Sequence, residues 1–210
     1  MFSPARTPLL VLLAVLPSAF LFSQEETEAP EIEVTNMRFD RLGDEWLVAN
    51  LEIRPGKNPS PEARDEDFLD DVRLTLYLCF EVDAEGDEDG FSFYRSAVRI
   101  VSLESPNTYS VPFFLPGVIR DRDNLDADPF AWLVEMQAGG AEVPLAEDQA
   151  GGEIRKTPEG FENFLSKASS ESVDNDGILL PVYLAPGYLA GEARVNPREV
   201  PAFYRFEPEN

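Results

Sequence analysis

"DVRLTLYLCF", residues 71–80, alternates without a break. Val72, Leu74, Leu76, Leu78 and Phe80 make one apolar row, and Arg73, Thr75, Tyr77 and Cys79 make the opposite one. A helix would need the apolar row to recur every three or four residues. A period of two is the mark of a strand with one face on a core. The same pattern spreads outward in both directions. "EIEVTNMRF" (31–39) alternates through Ile32 and Val34. In "EWLVANLEI" (45–53), Leu47, Ala49, Leu51 and Ile53 share one face while Trp46 and Val48 take the other. "FSFYRSAVRIVSL" (91–103), "TYSVPFFL" (108–115) and "FAWLVEMQA" (130–138) continue the series, separated by glycine, proline and acid clusters.

Short alternating segments with such punctuation predict a mainly β protein, an immunoglobulin-like antiparallel β-sandwich over residues 24–140. Only the architecture is implied, because the Cys–Trp–Cys pattern of antibody domains is missing. Pro112 inside its run points to an edge position or a bulge, since proline cannot donate to a ladder. "RPGKNPSPEARDEDF" (54–68) is long enough to cross between sheets, and "PGVIRDRDNLDADP" (116–129) reads as a second long connection. The character changes after Gly139-Gly140. "TPEGFENFLSKASS" (157–170) predicts one short helix, with Thr157 as cap, Pro158 at the first helical position and an apolar stripe through Phe161, Phe164, Leu165 and Ala168. Residues 141–210 are therefore expected to form a C-terminal extension packed on the sandwich, with two small domains as the alternative.

The first 23 residues have the order of an export signal: Arg6, the apolar "LLVLLAVL" (9–16), then "PSAFLFS" before the acidic "QEETEAPE". Periplasm or cell surface is the expected location. No small-residue lipobox precedes a cysteine near this segment. The chain carries 40 acids against 17 bases, a formal net charge of −23. A surface that acidic repels phosphate backbones and anionic headgroups, which argues against nucleic acid and anionic membranes as partners and favours a partner with a basic surface.

Catalytic options are few. The chain has no histidine and a single cysteine, Cys79. Histidine-based triads, zinc ribbons, iron–sulfur clusters and internal disulfides are thereby removed. No phosphate-binding glycine loop or dinucleotide fingerprint occurs. A carboxylate-only hydrolase is the sole enzymatic reading left open, and the expectation is a non-enzyme with no catalytic or cofactor-binding residue. "DAEGDEDG" (83–90) offers a cation cluster of Asp83, Glu85, Asp87 and Asp89, for which calcium would be the cofactor. As an EF-hand starting at Glu85 it fails, because the bidentate glutamate of position 12 falls on Ser96. A solvated hairpin tip is the simpler reading. "DRDNLDAD" (121–128) is a second acidic cluster, with Arg120 and Arg122 at hand as countercharge. Trp46, Tyr77, Tyr94, Trp132 and Tyr188 are the rings on which a sugar could stack, although rings in alternating strands usually serve a core.

"FFLPG" (113–117) leading into "RDRD" (120–123), and the late "DGILLP" (176–181), resemble exported immunoglobulin-like proteins associated with type IV pilus gene clusters in bacteria. That resemblance implies a non-enzymatic accessory of the cell envelope or of pilus assembly, acting on an envelope or pilus protein. A carbohydrate-binding or calcium-dependent adhesion module, with a glycan as partner, is the alternative.

Overall fold

The computed structural model describes residues 29–43, 46–82, 90–126, 128–154 and 156–204. The leader segment and the cluster Asp83, Glu85, Asp87 and Asp89 lie outside the described residues. Two antiparallel sheets pack face to face. In the first, strand β1 (Ile32–Arg41) pairs with β2 (Leu47–Pro55), β2 with β5 (Tyr109–Leu115), and β5 with β9 (Leu180–Pro181). In the second, β4 (Gly90–Glu104) pairs with β3 (Phe68–Val82), and β3 with β6 (Ala131–Ala138). The far edge of β6 carries two short pieces, β7 (Ala141–Glu142) and β8 (Ala150–Gly152). First, second and fifth strands in one sheet, third, fourth, sixth and seventh in the other, is the strand distribution of an immunoglobulin-like sandwich. The 54–68 segment crosses between the sheets, as its length implied.

The row that decided the fold points into the interior: Val72, Leu74, Leu76, Leu78 and Phe80 are all fully buried. Leu47, Ala49, Leu51 and Ile53 face them from the first sheet, with Val111, Phe113 and Leu115 beside them. Each such side chain contributes roughly 1.5–3 kcal/mol by leaving water, which makes this interface the main source of stability. Pro112 is seated without loss. Its carbonyl accepts from Val182 N at 3.1 Å, on the side away from β2, so its missing N–H leaves no gap in the β2 ladder. Val82 pairs with Gly90, so β3 and β4 form a hairpin.

The alternation slips once. Asp71 adopts a left-handed backbone, φ 52°, near the start of β3. Leu69 and Val72, three apart, both face the core, as do Leu103 and Ile100 opposite them. One residue in the left-handed region shifts the facing of both strands together and leaves their register intact.

Residues 141–204 clothe this sandwich. Helix α2 (Pro158–Glu171) begins as expected, with Thr157 Oγ1 accepting from Gly160 N at 3.1 Å. It lies on the outer face of the second sheet, where Phe161 and Ala168 join Tyr77, Cys79, Phe93 and Leu133 in a second apolar cluster. Two elements correct the sequence reading. The 116–129 connection contains a helix, α1 (Gly117–Asp123), and the extension holds a second helix, α3 (Gly187–Glu192), rather than one. Both are under two turns, too short to print a helical period. Leu189 of α3 packs on Val48 and Phe114, the outer face of the first sheet.

The extension also closes the two seams between the sheets. On one side Val34 N donates to Asp148 Oδ2 at 2.7 Å. On the other, Phe203 bridges Ile100 at the outer edge of β4, and Ser110 N of β5 donates to Glu199 O at 2.8 Å.

Candidate functional site

Four cross-strand rows make up the outer face of the second sheet. Cys79 lies between Phe93 and Ala131, Tyr77 between Arg95 and Leu133, Thr75 between Ala97 and Glu135, and Arg73 between Arg99 and Gln137. Helix α2 covers the first two rows. The last two stay uncovered and form a shallow groove of about 270 Å³ lined by Arg73, Thr75, Ala97, Glu135, Gln137 and Glu142. Tyr77 stands at the border, where burial, aided by Glu135, pushes its phenol above the ordinary value.

This bare half carries charges of both signs, Arg73 and Arg99 with Glu135 and Glu142. Arg73 and Arg99 are directly opposite, an arrangement that is destabilising by itself. Asp71 resolves it: Arg99 grips its carboxylate with two nitrogens, Nη2 to Oδ2 at 2.9 Å. That grip, with Arg73 adding its field, holds the Asp71 carboxyl below the ordinary value of 3.8. The left-handed turn that places Asp71 there costs about 1–2 kcal/mol for a residue with a Cβ. The exposed face of Arg99 is stacked by Tyr204, 4.7 Å from guanidinium carbon to ring centre. Across the face, Gln137 Nε2 donates to Glu142 Oε1 at 2.7 Å and Arg95 Nε to Asp176 Oδ1 at 3.2 Å. The surface is a shallow groove on rigid strands that carries charges of both signs.

The other residues singled out from the sequence fall elsewhere. In the 121–128 cluster, Asp123 is held by Arg122 at 2.5 and 2.6 Å and accepts from the buried Tyr94 hydroxyl at 2.6 Å. It is a latch between α1 and the core, as local pairing predicted. Asn124 turns left-handed to end the helix, its N–H donating to Arg120 O. No three carboxylates or thiols converge as a metal site among the described residues. Of the five candidate rings, Tyr77 and Tyr94 are buried, Trp46 and Trp132 are half-buried against apolar clusters, and Tyr188 is exposed. Cys79 is sealed beneath α2, where burial pushes its thiol up to about 12. What the sequence reading missed is the Asp71–Arg99–Tyr204 stack. Its one visible signal is the three-residue step from Leu69 to Val72 that interrupts the alternation.

The two motifs behind the pilus resemblance are neighbours in space. Phe113 and Phe114 of "FFLPG" pair with Pro181 and Leu180 of "DGILLP" in the β5–β9 ladder. They build the fold and carry no reactive group.

No protein-family model matches the chain, and no curated protein matches it either. A crystal structure of a protein from Akkermansia muciniphila is similar in fold, with a TM-score of 0.58 and 11% identity over 85% of this chain and 94% of that one. No helix among the described residues is long and apolar enough to cross a membrane.

Proposed function

We propose that this chain is an exported, non-enzymatic sandwich that works by protein–protein contact in the cell envelope, as an accessory of pilus assembly. One observation carries the contact reading: the uncovered half of the second sheet, where Arg73, Thr75, Glu135, Gln137 and Glu142 present polar groups and charges of both signs on a rigid strand platform. Strand-mounted charges of fixed spacing select a partner by complementarity and steer its approach. The envelope and pilus assignment rests on the leader-like start and on the "FFLPG" and "DGILLP" motifs.

The test is cross-linking and co-purification from envelope fractions. Assembly proteins should be recovered with the wild-type chain and lost with Arg73→Glu combined with Glu135→Lys, while the melting temperature stays within a few degrees. Equal recovery by the charge-swapped variant would remove this face as the contact. The adhesion-module alternative keeps one exposed ring, Tyr188, with the exposed Leu184 near it in sequence. A glycan array tests it, and a melt unchanged by calcium would remove its metal form.

A further inference from the structure

The outer edge of β4 is already recognising a peptide, its own. Val101 N donates to Ala202 O and Tyr204 N to Arg99 O, both at 2.8 Å, on either side of the Ile100–Phe203 bridge. This is antiparallel strand addition reduced to three residues. Phe203 follows Ile100 inward. Its ring meets Tyr183 at 5.3 Å between centres and packs on the main core at the seam between the sheets. Tyr204 turns outward onto Arg99. The edge thus has the two parts that strand-addition sites require: main-chain groups for affinity and a side-chain socket for selection.

The hold of the segment is slender. Ala202 and Tyr204 are exposed while Phe203 is half-buried. The chain reaches the edge through Arg194, which is held left-handed at φ 52°. Farther along β4, Asn175 Nδ2 donates to Phe93 O at 3.0 Å, which puts the outward carbonyl of another odd-numbered residue in use by a side chain. The outward positions at Arg95 and Ala97 lie between these two supports.

Resting on the protein-contact reading, we propose that the β4 edge at Arg99–Val101 is a strand-acceptor site for an extended segment of a protein partner carrying an aromatic residue at the Phe203 position, with residues 202–204 as its intramolecular occupant. The occupant states the chemistry of the ligand: a small residue, a ring for the seam, and a second ring for Arg99. Binding exchanges one short strand for another, and no covalent step is involved.

The probe is a fluorescein-labelled peptide of sequence VPAFYRFEP, matching residues 200–208, titrated by fluorescence anisotropy into full-length protein. Wild-type chain should bind it weakly, because its own segment competes. Full-length Phe203→Ala should bind it at least tenfold more tightly, and a peptide with alanine at the position matching Phe203 should lose that gain. Tyr204→Ala, at an exposed ring, is the second variant and should give a smaller gain; circular dichroism melts establish that both are folded. Folded variants that bind the peptide no better than wild type would overturn the assignment. Dimerisation of Phe203→Ala without peptide uptake would overturn it too, giving the edge to a second copy. Either failure leaves co-purification through the charged face untouched, so the two readings are separable.

Discussion

Gly152 and Gly177 have nearly the same backbone, φ 75° and 76°, and quite different surroundings. A Cβ on Gly177 meets nothing within 4 Å. One on Gly152 would stand 2.2 Å from Phe130 O and 2.8 Å from Ala131 Cα, both backbone atoms at the start of β6. Alanine at Gly177 pays only the left-handed penalty of about 1–2 kcal/mol, less the roughly 0.4–1 kcal/mol by which it stiffens the unfolded chain. About 1 kcal/mol of net loss follows. Alanine at Gly152 suffers the same and must also push β8 off β6. That unseats the Ala131–Gly152, Trp132–Gly151 and Leu133–Ala150 pairs and loosens the floor under α2. Overpacking of this kind adds about 1–3 kcal/mol, for a total near 2–4 kcal/mol. Gly151→Ala should fall between them, since its Cβ would meet the Trp132 indole at 2.4 Å and a side chain can move. Urea unfolding followed by circular dichroism, with a common slope for all three variants, measures the order directly. If Gly152→Ala and Gly177→Ala agree within about 0.5 kcal/mol, backbone approach is not what demands glycine at 152, and the β6–β8 contact is looser than described.

Three further outcomes are expected. Phe161→Ala should destabilise by about 3 kcal/mol and, by loosening α2, let a thiol reagent reach Cys79 much faster than in the wild-type protein, where labelling requires unfolding. Tyr94→Phe, which leaves Asp123 to Arg122 alone, should lose roughly 1–2 kcal/mol. Because burial and the Asp123 hydrogen bond push the Tyr94 phenol up to about 12, the native state keeps a proton that the unfolded chain releases from its ordinary value of 10.0. Wild-type stability should therefore fall between those two values, and less steeply in Tyr94→Phe. Asp71 has the opposite sign. Its carboxyl is held below 3.8, so its contribution is present at neutral pH and is lost as pH falls through the native value. Asp71→Asn should be less stable than wild type near pH 7, and acid denaturation should show the gap closing as pH falls below 3.8 and through the native value.

The sandwich was legible because its long strands alternate. Leu74 to Phe80 and Leu47 to Ile53 face the core as their spacing requires. The helix from Pro158 was legible too, for its Thr-Pro start and its Phe161–Ala168 stripe are local signals. Helices α1 and α3 were not, since six or seven residues cannot display a period. Nor could the polar look of "AEDQAGG" reveal that Asp148 serves β1 across 114 positions of sequence, or that Gln149 is buried. On the candidate site, the row Arg73, Thr75, Tyr77, Cys79 read correctly as one face, yet nothing local says that α2 stops halfway along it. The stack of Asp71, Arg99 and Tyr204 joins three separate segments, so it becomes visible only once the register of β3 on β4 and the path of the last residues are known.

The closing of the two seams by residues 141–204 bears on how the chain comes to be folded. The contacts that finish the structure are long in sequence: Val34 waits for Asp148, Ser110 for Glu199 and Ile100 for Phe203. Folding dominated by such pairings is slow, because loop closure must be met before the contact rewards it. An intermediate with β1 to β6 in place would expose the unpaired outer edges of β1, β5, β4 and β6, with Tyr77, Phe93 and Leu133 bare on its outer face. Such a species would be sticky toward its own kind despite the net negative charge, and rapid dilution refolding should show yields that fall with protein concentration. Residues 141–204 are thus the part of the chain that makes the edges of the sandwich safe.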